Sequence, residues 1–453
     1  MKLNHLFLIL FALAVVRPPT LHGQSQHATN DTQAPLLTLD DAVSLALENN
    51  RLVKNSALEA RKFDFRVDTA RSRRLPQFQF AVLGGELLQP FNFNIPAGTF
   101  GTYPSTGPVP SRDSKIHTPA QFVTYTTAAF DAPVSQQYKI HLGIRATELA
   151  RDISREDVRA ERQTISSEVR NTYFNLVATE VGVEATREAV KTLEEAQRVT
   201  AKYQAEQTVL RADALEVDAR LAKAQYELSV AENGLATQHE HLNQLLGRDL
   251  TTPFRVNSMP EPEAEDLTLQ AARERAERSR PEIKQAQLKQ KQAEYDRRIA
   301  KAEYIPDLSV SARYLGMNNV SFVPENVGVA GFNLSWEPFD WGRKRNVVAE
   351  KTKTVEQARN GAAETESQIA VEVGMKHRKW QEEALLLKVT RAQHDASTER
   401  LREVSTRYKE QAALIKDLLE AQARKSETDY QYQQALSSYW GALADLRRAM
   451  GEE

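Results

Sequence analysis

Residues 37–76 read LTLDDAVSLALENNRLVKNSALEARKFDFRVDTARSRRLP, and residues 267–306 read LTLQAARERAERSRPEIKQAQLKQKQAEYDRRIAKAEYIP. The stretches align without a gap: Ala46 meets Ala276, Phe65 meets Tyr295, Ala70 meets Ala300, and both end on an apolar residue and a proline. Downstream the spacing between matched residues shortens. Glu168-Val169 then meets Glu372-Val373, Asp213 meets Asp417, and Leu246-Gly247 meets Met450-Gly451. One long motif used twice predicts two tandem structural repeats. The Pro- and acid-rich stretch 252–266 reads as a linker, placing the first repeat at 24–251 and the second at 267–453.

Each repeat shows the same order of periods. A helix is expected from about Leu39 to Arg74, and again from Leu269 to Glu303, each stopping just before a proline. Alternation follows. Leu308, Val310, Ala312 and Tyr314 point one way while Asp307, Ser309, Ser311 and Arg313 point the other; Ala330, Phe332, Leu334 and Trp336 oppose Asn333, Ser335 and Glu337. Period two with one apolar face signals a strand. Phe78, Phe80 and Val82 begin the matching strand of the first repeat, and Gln121 to Phe130 is strand-like. Between them, Gln89 to Pro119 holds no period and is rich in Gly, Pro, Ser and Phe, which predicts a long loop.

The last part of each repeat changes period. Leu210, Ala214, Val217, Leu221, Ala224, Leu228, Ala231, Leu235, Gln238, Leu242 and Leu245 are spaced by alternating fours and threes, a coiled-coil seam. The second repeat continues it in register from Leu414 to Ala449. A stripe this narrow leaves most of each helix wet, as in a thin wall with water on both sides. At about 1.5 Å per residue, a helix from near Gln136 to Gln204 reaches roughly 100 Å.

Lys+Arg number 59 against Asp+Glu 61, a net charge of −2, which offers no electrostatic footprint for nucleic acid. Cysteine is absent, so disulfides, thiolate metal sites, thiol nucleophiles and a cysteine-borne lipid anchor are excluded. Lys2 followed by the apolar run Leu6 to Val16 reads as a signal peptide over residues 1–23; as a membrane anchor the run is short for a span. No later stretch reaches spanning length, so any membrane insertion must use β-strands. Two strands per repeat give four per chain. Four cannot close a barrel, and an open edge cannot sit in lipid, so several chains must share one barrel. A soluble α+β protein with two small hairpins is the other reading, and it leaves the export signal and the long, thinly apolar helices without a purpose.

Leu37-Thr38-Leu39-Asp40-Asp41-Ala42 with Asn49-Asn50, the Leu75-Pro76 and Ile305-Pro306 helix ends, and the corner Trp336-Glu337-Pro338-Phe339-Asp340-Trp341-Gly342-Arg343 resemble the TolC-type outer-membrane efflux family over nearly the whole chain. The first repeat has Asp131-Ala132-Pro133-Val134 at its corner and lacks the Trp-Gly-Arg ending. The resemblance implies an α+β membrane protein: a homotrimer whose twelve-stranded β-barrel sits in outer-membrane lipid, continued by a periplasmic α-barrel of coiled-coil helices. It implies a passive exit duct, not an enzyme, for a tripartite efflux or type I secretion system. The partners would be a periplasmic adaptor and, through it, an inner-membrane RND or ABC-type pump. At the corner, Pro338 lacks an amide donor and can end a ladder, and Trp336, Phe339 and Trp341 suit the headgroup level, although packing at a strand end would use the same residues. At the periplasmic tip, Gln207 and Gln411 stand where the family normally has glycine, and a turn with φ > 0 would be strained there. The resemblance also points to Asp213, Asp417 and Glu420 as carboxylates narrowing the tunnel mouth, with Arg211, Lys416 and Tyr408 as partners; acidic residues equally favour the first turn of any helix.

No catalytic constellation or cofactor motif is evident. His239 and His241 diverge at i, i+2 on a helix, and the H-E-x-x-H and phosphate-loop patterns are absent. The alternative function is a periplasmic coiled-coil adaptor, which would carry one helical hairpin flanked by compact β-domains. The transported substrate is not legible: drugs, metals and secreted proteins all fit.

Overall fold

The computed structural model describes residues 34–205, 211–262, 266–320, 324–410, 412–413 and 415–453. The expected signal peptide and the turn residues Gln207 and Gln411 lie outside them. The first half runs β1 (Leu36–Leu37), α1 (Leu39–Asn49), α2 (Arg51–Ser72), β2 (Gln77–Glu86), β3 (Phe91–Ile95), β4 (Thr102–Tyr103), β5 (Gly107–Pro108), β6 (Ser114–Thr118), β7 (Phe122–Pro133), α3 (Gln137–Ala205) and α4 (Arg211–Leu245). The second half runs β8 (Arg255–Val256), α5 (Leu269–Ser279), α6 (Pro281–Ala302), β9 (Asp307–Asn318), β10 (Asn326–Ser335), α7 (Arg343–Lys409) and α8 (Ile415–Ala449). The twice-used Leu-Thr-Leu has a local cause. Thr38 and Thr268 cap α1 and α5, their hydroxyls accepting from the amides of Asp41 and Ala271 at 3.2 Å.

Two expectations need correction. The first helix of each half is broken, at Asn50 and at Arg280, rather than running through to Arg74 and Glu303. The break occurs where another helix ends. Asn50 sits in an extended conformation; its Nδ2 donates to the Leu245 carbonyl at 2.9 Å while its Oδ1 accepts from the Leu52 and Val53 amides. One side chain thus caps the end of α4 and the start of α2. In the second half Arg280 donates to the Arg448 carbonyl at 3.2 Å, and Pro281 at the first position of α6 removes an amide that would lack a partner. Gly247 and Gly451 end the descending helices at φ +68° and +85°. A Cβ on Gly451 would lie 2.7 Å from the Ser279 carbonyl carbon, so glycine permits both the turn and the close approach. The second correction concerns Gln89 to Pro119. It is not a structureless loop, for β3 pairs with β6 and β4 with β5, both antiparallel.

The long helices form a shaft: α3 packs against α2, α4, α6 and α8, and α7 against α5, α6 and α8. The seam lies along the packed side. On α4, Leu221, Ala224, Leu242 and Leu245 are buried, and on α8 so are Ala421, Thr428, Tyr432, Ala435, Tyr439, Ala442, Leu446 and Ala449. The main core is a belt around the middle of the shaft, where α1 and α5 add a layer and Ile165, Val169, Leu176, Leu242, Val373, Leu446 and Met450 are fully buried. Charged groups tie the belt together, across halves at Asp445 and within the second half at Glu372. Asp445 accepts from Lys376 (2.5 Å), Asn171 (2.9 Å) and Ser167 (3.1 Å), and Glu372 accepts from the buried Arg280 (2.8 Å) and from Arg448 (3.0 Å). Burial pushes the Asp445 carboxyl up, yet these donors, Lys376 foremost, hold it below its ordinary value.

Candidate membrane sheet and tunnel tip

At one end of the shaft, four strands form an antiparallel sheet in the order β10-β9-β7-β2, joining the halves through the β7–β9 ladder. Paired residues follow without a bulge from Ser335↔Asp307 to Asn326↔Gly316 and from Gln77↔Asp131 to Glu86↔Phe122, so each face keeps its identity along the strands. One face carries Phe78, Phe80, Phe130, Leu308, Val310, Ala312, Phe332 and Leu334. The other carries Gln77, Gln79, Asp131, Ser309, Ser311, Arg313 and Asn333 near the shaft. Across the junction of the halves, Arg313 donates to both carboxylate oxygens of Asp131, at 2.7 and 3.1 Å. The sequence placed Arg313 on a polar strand face but could not pair it with Asp131, because that register depends on how the two halves meet. Phe78 and Phe332 are 71% and 77% exposed. Among the described residues, β2 and β10 each have one side without a neighbouring strand.

The sheet is bolted to the shaft by groups that sequence reasoning missed. The Ser135 hydroxyl donates to the Pro306 carbonyl at 2.6 Å and accepts from the Leu308 amide at 2.7 Å, and Lys139 pairs with Asp307 at 2.8 Å. At the Trp336–Arg343 corner, β10 ends at Ser335, before Pro338. Trp336, Phe339 and Trp341 are all exposed, with the Phe339 and Trp341 rings edge to face at 5.6 Å. The residue that shapes this corner is Asp340. Its carboxylate accepts from the Lys344 amide (2.9 Å) and the Gly342 amide (3.0 Å), starting α7, while Trp341 and Gly342 take φ +53° and +88°. Those amides, that of Lys344 first, hold the Asp340 carboxyl below the usual carboxylate range. An Asp two residues before a Gly at a helix start was the available signal.

At the opposite end lie the candidate tip residues. Arg211 opens α4 and is exposed. Asp213 lies in the first turn of α4. Tyr408 is in the last turn of α7 and exposed, and Asp417 is in the first turn of α8 and exposed. Lys416 lies 3.8 Å from Glu420 one turn on, both exposed. Tyr408, Lys416, Asp417 and Glu420 thus share one turn region, with Arg211 and Asp213 at the equivalent turn of the first half.

The family model described as outer membrane efflux protein matches residues 272–452. Residues 272–452 thus resemble an outer membrane efflux protein domain, and the fold of the chain is that of TolC-type channels. Solved structures agree on the fold. A membrane protein from Pseudomonas aeruginosa is 19% identical at TM-score 0.72, covering 91% of this chain and 90% of that one. The CmeC outer membrane channel of Campylobacter jejuni is 18% identical at TM-score 0.72, covering 91% and 85%. The MtrE outer membrane channel of Neisseria gonorrhoeae, in its open state, is 17% identical at TM-score 0.67, covering 91% and 89%. No curated protein matches the sequence. The family is one of outer-membrane transport channels. The efflux domain thus covers α5 to α8 almost completely. Among the described residues no helix is long and apolar enough to cross a membrane, and no group of three or more His, Asp or Glu could hold a metal. His239 and His241 do diverge, toward Glu180 and Glu168 respectively.

Proposed function

We propose that three copies of this chain close one twelve-stranded barrel in the outer membrane and continue it as an α-helical tunnel through the periplasm. The duct is passive. Cargo arrives from an inner-membrane RND or ABC-type pump through a periplasmic adaptor. The observation that carries this reading is the open sheet, apolar on one face near the shaft, with strands β2 and β10 each unpaired on one side among the described residues. Unpaired backbone groups cannot face hydrocarbon, and four strands cannot close on themselves, so the edges must meet other copies. Strand directions support it: β2 and β10 run oppositely, as an antiparallel joint between neighbours requires. Residues 24–251 and 267–453 act as two tandem repeats joined by the 252–266 linker, after removal of a signal peptide at 1–23. Their helices follow one order in each half: a short one, a medium one, then two long ones after the strands.

At the periplasmic end, Asp213, Asp417 and Glu420 from three copies form rings of like charge that narrow the mouth and favour cations. Arg211, Lys416 and Tyr408 offset part of that repulsion in the closed state. Trp336, Phe339 and Trp341 settle at the inner headgroup level. Single-channel conductance in planar bilayers tests the duct and its gate together. The intact chain is expected to form cation-preferring channels blocked by divalent cations, with block weakened in Asp213→Ala and Asp417→Ala. Block unchanged in both variants removes the gate assignment, and the lack of any channel from a heat-resistant trimer removes the duct.

A further inference from the structure

The end of the sheet far from the shaft does not keep the chemistry of the near end. On the face that carries Asp131 and Arg313, the outer residues are Leu83, Tyr125, Leu315, Met317 and Val327, with no bulge to turn them round. Charged Asp131 and Arg313 would be costly toward lipid, so this face is the lumen face and its outer third is an apolar band. Next to that band stands an amphipathic hairpin. Directly paired residues share a face, so Phe93 lies beside Ile116, in line with Phe91 and Ile95, while Asn92, Asn94, Lys115 and His117 occupy the other. Phe93 is half exposed. Two strands alone are marginal in water, so cover over the Phe93–Ile116 part of the apolar side would stabilise this hairpin.

Position decides what supplies the cover. The hairpin, residues 87–121, continues directly from β2, the free edge of the sheet. When β2 joins β10 of the next copy, the hairpin stands over the outer start of that β10, about 5 Å away, whereas β9 of its own copy lies two strands off. There β9 and β10 are joined by residues 319–325. The root is fixed: the Gln121 side-chain Nε2 donates to the Asn319 carbonyl at 2.8 Å, and the Asn319 side-chain Nδ2 to the Phe122 carbonyl at 2.7 Å.

We propose that the hairpin of one copy docks its Phe93–Ile116 face on Leu315, Met317 and Val327 of the next copy, forming a three-part lid over the outer mouth of the duct. The inference rests on the trimeric reading above. The natural lack of cysteine makes a crosslinking test clean. Phe93→Cys is combined in turn with Leu315→Cys, Met317→Cys and Val327→Cys in the full chain, and the protein is oxidised in membranes. Because each hairpin reaches the next copy round a closed ring, at least one pair is expected to give a covalent trimer on a reducing-agent-free denaturing gel, collapsing to monomer on reduction. Channels from the oxidised trimer are expected to conduct less than the same channels after reduction. A link confined to single chains, or no link while the heat-resistant trimer persists, overturns the lid. Failure of the unmodified chain to form that trimer overturns the duct reading and the lid together.

Discussion

At the mid-shaft belt, Leu446 and Met450 are 0% and 1% exposed, and Asp445 has a partner from each half, Asn171 and Lys376. At the sheet, Phe78 and Phe332 stand open and, among the described residues, two strand edges are bare. On the trimeric reading proposed above, the same chain completes one region alone and leaves the other to lipid and to copies of itself. The belt should respond to mutation like a globular core; the sheet should respond only where its surroundings are wrong.

The largest effect is expected from Phe332→Arg, which puts a charge on the apolar face and should cost about 3 kcal/mol per copy near the bilayer midplane. Asn333→Arg, one residue on and on the opposite face, should cost less than about 1 kcal/mol. The fraction of heat-resistant trimer after membrane insertion measures both, and equal losses would reverse the assignment of faces. Next comes Arg280→Ala. It strips Glu372 of a buried donor and leaves the α8 end uncapped, for about 2–3 kcal/mol by urea unfolding. Arg313→Ala, removing the exposed pair on the sheet, should stay within about 1 kcal/mol. If the two sites cost the same, the contrast between belt and sheet fails.

Tyr432 offers a smaller, pH-resolved effect. Burial, then its hydrogen bond to Glu261, pushes its hydroxyl up to about 12. The folded state thus favours the neutral phenol. That stability is fully present below the unfolded value near 10 and is lost as pH rises to about 12. Tyr432→Phe should lose roughly 1 kcal/mol at neutral pH and flatten the decline of helicity over that alkaline window. The smallest effect is expected at the tip, where Lys416→Ala removes only the exposed pairing with Glu420, for about 0–0.3 kcal/mol, although conductance should still register it.

Much of this was legible in residue order. Strand alternation at Leu308–Tyr314 and the three-four spacing from Leu221 to Leu245 appear in the structure as ladder and seam, because both periods follow from local backbone geometry. The breaks at Asn50 and Arg280 were missed. Pro281 was a signal, since the residue before a proline leaves the helical region. Asn50 could not be separated from a mid-helix asparagine, because its reason is the end of α4, nearly two hundred residues away in sequence. The ladders within 89–119 were missed because short two-stranded pieces hold too few alternating residues to declare a period. The corner was recognised by its aromatic rings, while Asp340, which holds it, became visible only with its two amide donors in place.

By itself the sequence determined the order and kinds of the main elements and the polar and apolar sides of β9 and β10. These depend on neighbours within a few positions and on backbone groups that must be satisfied. Only the tertiary structure decided which strand lies beside which, that Arg313 meets Asp131, and that α2 and α6 begin where α4 and α8 end. Those contacts join residues from distant parts of the chain, and their free energy exists only once packing has brought both sides together.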